Sequence, residues 1–136
     1  MNIYMKVALE EAKKAAKKNE IPVGAVIVKG NEIIAKAKNN RQHNKNVLGH
    51  AEINCILKAT KKIKDWRLDK CDMYVTLMPC EMCSAVIKES RINNVYYLLN
   101  NEQKKYKNSY IQTNDCEELK EIYKTMMLKF FENLRK

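Results

Sequence analysis

Apolar residues recur at three- and four-residue spacing through the start of the chain. Met5, Ala8, Leu9, Ala12, Ala15 and Ala16 fall on one side, with Lys6, Glu10, Lys13, Lys14 and Lys17 on the other. That period predicts an amphipathic helix over residues 2–18. Pro22 closes the connection, and the β-branched run "VGAVIVK" has the composition of a buried strand. Gly30 and Asn31 supply turn chemistry, so "EIIAKAK" is expected to return as the second strand of a hairpin.

The polar stretch 39–49 then predicts a loop. A helix over about 50–63 follows, with Ile53, Ile56 and Leu57 on one side and Lys58, Lys61 and Lys62 on the other. "DMYVTLM" (72–78) predicts a strand, and a helix opens at Pro79 or Cys80 and runs to about Ser90. "NVYYLL" (94–99) is a further strand, and "YIQT" (110–113) a short edge strand. The last helix, about 116–134, sets Leu119, Ile122, Tyr123, Met126, Phe130 and Leu134 at helical spacing. This order predicts one sheet with helices on its faces, an α/β layered domain spanning residues 1–136. The third and fourth strands should be parallel, with a site at their carboxyl ends.

Composition adds a compartment and a charge. At 136 residues with only three glycines and two prolines, the chain can bury one core, and disorder is a poor reading. No apolar run reaches the length of a membrane span and no signal-peptide pattern opens the chain, so a cytoplasmic protein is expected. The net charge of +10 suits an anionic partner such as RNA. Lysine carries nearly all of it, with arginine only at positions 41, 67, 91 and 135. A bias toward lysine and asparagine codons would produce the same charge without any such partner.

The five cysteines, at positions 55, 71, 80, 83 and 116, have no disulfide-framework spacing. Two of them stand apart in "YVTLMPCEMC". Cys80 and Cys83, three residues apart at the opening of a helix, can aim both sulfurs at one point. The unpaired N–H groups and positive dipole end there favour thiolate. Two sulfurs do not satisfy zinc, which takes four ligands in structural sites and three plus water in catalytic ones. His50, in "GHAE" at the start of the preceding helix, can supply the third if both helices pack on one sheet face. Alternatives stay open on the residues alone. A histidine at a helix start is commonly a cap or a buried imidazole, and a lone C-x-x-C can be a thioredoxin-like dithiol. Cys55 reads as core filling, Cys71 and Cys116 lack ligand-like spacing, and His43 reads as a solvated loop residue.

His50, Glu52, Pro79, Cys80 and Cys83 together match H-x-E…P-C-x-x-C, the established signature of zinc deaminases acting on nucleobases. "EIPVGAVIV" (20–28), "GHAEI" (49–53), "MYVTLMPCEMCSAVI" (73–87) and "SRINNVYY" (90–97) resemble segments of the bacterial tRNA-specific adenosine deaminases, in the right order. "KFFENLRK" is similar to their last helix. The resemblance implies a cytidine-deaminase-like three-layer α/β/α sandwich with a mixed central sheet. It also implies one zinc per subunit, held by His50, Cys80 and Cys83, and a homodimer with active sites near its interface. The implied reaction is hydrolytic conversion of adenosine to inosine at the wobble position of a tRNA anticodon loop, with neither membrane nor DNA as partner. Zinc would activate water, and Glu52 would shuttle its proton to the ring and to the departing amine. Asn39, eleven residues before His50, matches a family asparagine that contacts the target nucleoside; its other reading is a turn residue.

The resemblance departs after "VYYLL". Family members carry an acidic residue, a lysine and a small-residue stretch there, whereas this chain has the shorter, glycine-free "NNEQKKYKNSY". A deaminase of free bases or nucleosides shares the metal motif. A non-catalytic zinc-stabilised RNA-binding module is the reading from another class, and Glu52 weighs against it.

Overall fold

The computed structural model describes residues 2–101 and 108–134. Among these residues five helices and five strands follow in the order α1 (Ile3–Lys17), β1 (Gly24–Lys29), β2 (Glu32–Lys38), α2 (Arg41–Asn44), α3 (Ala51–Ile63), β3 (Cys71–Leu77), α4 (Glu81–Glu89), β4 (Asn94–Leu99), β5 (Ile111–Gln112) and α5 (Glu117–Leu134). Each expected helix and strand is present. The sheet order is β2-β1-β3-β4-β5. β1 pairs antiparallel with β2 and β3, while β3–β4 and β4–β5 are parallel. The sheet is therefore mixed, as expected.

Successive side chains along each strand point to opposite faces, and this period of two divides the core between them. Ala25, Ile27, Met73, Val75, Val95 and Tyr97 pack on the side of α3 and α4 with Ala51, Cys55, Ile56 and Ile87. Val26, Val28 and Leu98 face the other way, against Met5, Leu9 and Ala12 of α1 and Tyr123 of α5. Because β1 is covered on both faces, "GAVIV" is apolar throughout rather than alternating. Gly24 lets α1 lie directly on β1: a Cβ there would run into the Ala8 carbonyl oxygen and the Ala12 nitrogen.

Strand register explains why the two site helices meet. Gly24 at the start of β1 pairs with Lys38 at the end of β2, and the adjacent Ala25 pairs with Val75 near the end of β3. The strands preceding α3 and α4 thus finish at the same sheet edge. Both helices begin there and pack on the same face.

Three expectations change in detail. The stretch 39–49 is not all loop, since Arg41–Asn44 closes one helical turn. Leu57 points outward and is 62% exposed, on the rim of α3 rather than in the core. In α5 only Tyr123 is buried, and Ile122 and Leu134 are exposed. Helical spacing identifies an apolar face; it does not say what covers it. Residues 102–107, within the divergent "NNEQKKYKNSY", and the end of "KFFENLRK" lie outside the described residues.

Candidate metal centre and active site

His50 and Cys80 are the N-caps of α3 and α4, both with extended backbone and neither using its side chain to cap its helix. Their carbonyls accept the first helical bonds, from Asn54 and Ser84, each at 2.9 Å. Backbone groups thus do the capping, and the imidazole and thiol are free to turn toward each other. Cys83 lies one turn into α4, on the same side as Cys80.

The three side chains converge. His50 Nδ1 is 3.4 Å from Cys83 Sγ and 3.9 Å from Cys80 Sγ. All three donor atoms lie within 4.8 Å of one another. On a tetrahedral zinc an imidazole nitrogen and a thiolate sulfur are about 3.6 Å apart, given bonds of about 2.0–2.1 and 2.3 Å. The spacing and the Cys₂His donor set both fit zinc, with a fourth position left over.

The electrostatics of the cluster favour a bound cation. A hydrogen bond from Cys83, then one from His50, hold the Cys80 thiol down to about 3, so it stands as thiolate. The bond to Cys80 also raises the His50 imidazole above its ordinary value. The Cys83 thiol moves upward, because it donates toward the Cys80 thiolate and is buried beside Glu52. This is a set of donors sharing protons that a dication would replace.

Glu52 sits two residues into α3 and is 4% exposed. Burial pushes its carboxyl up to about 7, against the pull of its own backbone N–H and of His50. A cavity of about 180 Å³ opens over the cluster, lined by Asn39, Arg41, His50, Glu52, Met78 and Asn101 among others. Asn39 therefore lies at the same cavity as the metal cluster. Its amide is committed locally: Nδ2 donates to the Ile21 carbonyl and Oδ1 accepts from the Arg41 N–H, each at 3.2 Å.

Two features, one behind the cavity wall and one in it, were not singled out from sequence. Glu20, 2% exposed, accepts from the Gln42 and His43 N–H groups at 3.0 and 2.7 Å and meets the His43 ring Nδ1 at 2.7 Å. His43 is solvent-exposed, as expected, with its side chain 56% accessible, and it also tethers a buried carboxylate. Arg41 and Asn101 join the lining. Arg41 carried one faint signal, being among four arginines in a lysine-dominated chain.

The remaining cysteines stay out of the cluster. Cys55 is fully buried, with its thiol toward the Ala25 and Ala35 carbonyls, as core filling requires. No helix among the described residues is long and apolar enough to cross a membrane.

Residues 2–99 match the family model for the cytidine and deoxycytidylate deaminase zinc-binding region. The chain belongs to this family. The match ends with β4, just before the divergent segment. A tRNA-specific adenosine deaminase of Bacillus subtilis is 45% identical over 95 residues, covering 70% of this chain and 59% of the relative. One from Aquifex aeolicus is 47% identical over 94 residues, covering 69% and 62%. The chain therefore spans about 60% of the length of these relatives.

Among solved structures, one from a study of A-to-I editing by tRNA:A34 deaminases has a TM-score of 0.77 and 31% identity. It covers 82% of this chain and 97% of that one. A guanine deaminase of Bacillus subtilis has a TM-score of 0.71 at 25% identity, covering 92% and 95%. The cytidine-deaminase-like sandwich expected from sequence is the fold observed, and zinc is the metal that this family and the donor set share.

Proposed function

We propose that this chain is a zinc-dependent hydrolytic deaminase converting adenosine to inosine at the wobble position of a tRNA anticodon. The observation that carries the reading is a Cys₂His cluster with a buried carboxylate beside it, in one cavity. The names of the relatives at 45–47% identity support the substrate. Residues 1–136 act as one deaminase domain in this reading, in the cytoplasm and as a homodimer. Val47, Leu48 and Leu57, exposed on the loop and helix that carry the site, support a partner surface nearby.

His50, Cys80 and Cys83 would hold the zinc, which when bound lowers the pKa of a water toward neutrality. Two thiolates and a neutral imidazole leave such a site near zero net charge. Glu52 takes the proton released as the new C–O bond forms at the amine-bearing carbon. It passes protons to the ring nitrogen and to the departing amine, so that ammonia leaves as the C–N bond breaks. Burial suits Glu52 to that work, because its carboxyl can exist in both protonation states near neutral pH. Asn39 places its amide at the cavity wall, where it would orient the nucleoside. An anticodon loop presents an unstacked base, which the cavity can accept without opening a duplex.

A free-base deaminase is the second reading. It is favoured by the guanine deaminase structure, which covers more of this chain than the tRNA deaminase does. Incubating zinc-loaded protein with total bacterial tRNA, and separately with free bases and nucleosides, separates the two. Inosine confined to an anticodon wobble site is the expected result. Ammonia from guanine or cytosine, with tRNA untouched, would replace the first reading by the second.

A further inference from the structure

Arg41 is a permanent cation in a cavity whose other charge-bearing groups, His50, Glu52 and Cys80, belong to the metal cluster and its proton carrier. Its guanidinium cannot shed its proton, so its charge needs an anion or water. Among the described residues that line the cavity it is the sole lysine or arginine. Its guanidinium makes no hydrogen bond or ion pair with the described residues. The charges acting on Glu52 come from His50 and Cys80, and the Arg41 charge reaches the cluster only as the smallest of the pulls on the His50 imidazole, a downward one. A zinc held by two thiolates needs no further counter-charge, and a nucleobase carries none.

The backbone of Arg41 is nevertheless fixed from several sides. Its N–H donates to Asn39 Oδ1 at 3.2 Å, and its carbonyl accepts from the Asn46 N–H at 3.1 Å. The next two N–H groups are held by buried Glu20. Gly49 permits the close approach: a Cβ there would lie 2.8 Å from the Arg41 Cα. A cation on a braced backbone, at the mouth of a site for a neutral base, matches the one part of a nucleotide that is always anionic. When the base is seated by Glu52, sugar and phosphate remain at the rim. The planar fork of arginine fits phosphate oxygens in pairs.

We propose that Arg41 forms a phosphate subsite, gripping a phosphate of the nucleotide whose base faces Glu52, so that the cavity selects nucleotides over free bases and nucleosides. The inference rests on the deaminase reading above. The phosphate can be a backbone diester of RNA or the terminal group of a mononucleotide.

Zinc-loaded wild type, Arg41→Ala and Arg41→Lys would be assayed on adenosine, adenosine 5′-monophosphate and an anticodon stem-loop RNA. Arg41→Ala should raise KM for phosphate-bearing substrates roughly ten- to hundredfold, as for a lost charge-assisted hydrogen bond, with kcat held within about twofold. Arg41→Lys should recover part of that loss, and KM for adenosine should not move. A loss on RNA alone assigns a backbone phosphate; a loss on the monophosphate as well assigns a terminal one. Fluorescence anisotropy with the stem-loop gives a second readout. The slope of log Kd against log salt should shrink by about 0.7 in Arg41→Ala, as for one single-stranded phosphate contact. Should adenosine turn over too slowly to measure, this slope and the lysine rescue decide.

Equal losses on adenosine and RNA, or loss of zinc from Arg41→Ala, would make Arg41 a structural residue and overturn the inference. RNA editing by wild type with an indistinguishable variant would overturn it alone. A wild type that deaminates a free base and leaves RNA unchanged would sink the parent reading and this one together.

Discussion

The floor and the rim of the cavity are built in opposite ways. The floor takes three donors from the first turns of two helices that start at one sheet edge, so strand register and backbone capping place them. The rim takes Asn39 and Arg41 from a segment of one short helix and turns, tethered across 22 and 23 residues by the buried carboxylate of Glu20. A floor made this way tolerates little sequence change. A rim made this way can be remodelled without disturbing the chemistry below it.

Breaking the floor should give the largest effect. Cys83→Ser replaces a buried soft donor by a poor zinc ligand and should abolish both stoichiometric zinc and turnover. Chelation of the wild type should do the same and lower its thermal midpoint, since metal binding adds to folding free energy. Metal analysis and calorimetry on the same samples check both. A fully metallated, active Cys83→Ser would show that the cluster is not the metal centre.

Glu52→Gln leaves the three donors in place and removes only the proton carrier. Turnover should fall by about 10²–10⁴, the usual worth of a positioned acid–base group, while zinc content stays at wild-type level. Zinc lost along with activity would instead make Glu52 part of the metal site.

The helices that carry the floor residues were legible because they depend on local structure, while joining His50, Glu52, Cys80 and Cys83 into one site rested on the resemblance to the zinc deaminases. "PC" opening a helix, i,i+3 spacing and "HAE" after a polar loop are short-range facts, and the hydrophobic period located the helices to within a residue or two. The rim was not legible for the same reason in reverse. Nothing near Glu20 in "KKNEIPVG" signals that its carboxylate will be buried against the N–H groups of residues 42 and 43. Likewise the period of α5 shows an apolar stripe, but the sheet face is shared with α1, and only Tyr123 reaches full burial.

Breaking the rim should therefore cost stability before chemistry. Burial alone would raise the Glu20 carboxyl, but the His43 ring and the backbone N–H groups of residues 43 and 42 outweigh it and hold it below its ordinary value. A carboxyl lowered by folding stabilises the folded state above its unfolded pKa, and that contribution is lost as pH falls through the folded one. Glu20→Gln should cost about 1–3 kcal/mol at pH 7 in urea unfolding, as for a buried charged hydrogen-bonding group. The gap from wild type should close as pH drops below the ordinary carboxylate range. A gap that stays constant down to low pH would mean that packing, not charge, is what the carboxylate contributes. Zinc content should be unaffected, since no metal donor touches Glu20.

The smallest effect tests whether α5 belongs to the rim at all. Its one fully buried side chain, Tyr123, packs against α1 and the sheet and donates from its hydroxyl to the Pro22 carbonyl at 2.6 Å. Pro22 lies two residues from Glu20 and directly before Val23, which lines the cavity. Tyr123→Phe keeps the ring in place and removes the hydroxyl, and with it the bond to Pro22 and the contact with the Thr76 hydroxyl. A typical net hydrogen bond puts the loss at about 1 kcal/mol. The buried Pro22 carbonyl, left without its donor, can raise it toward about 2 kcal/mol. If α5 merely covers the sheet, the deficit should appear in unfolding alone. If it braces the rim, Tyr123→Phe should also raise KM for the stem-loop RNA a few-fold while kcat and zinc stay at wild-type values. The double variant Glu20→Gln/Tyr123→Phe separates the two. Additive stability losses would mean independent tethers, and a combined loss differing from the sum by more than about 0.5 kcal/mol would place both residues on one shared brace.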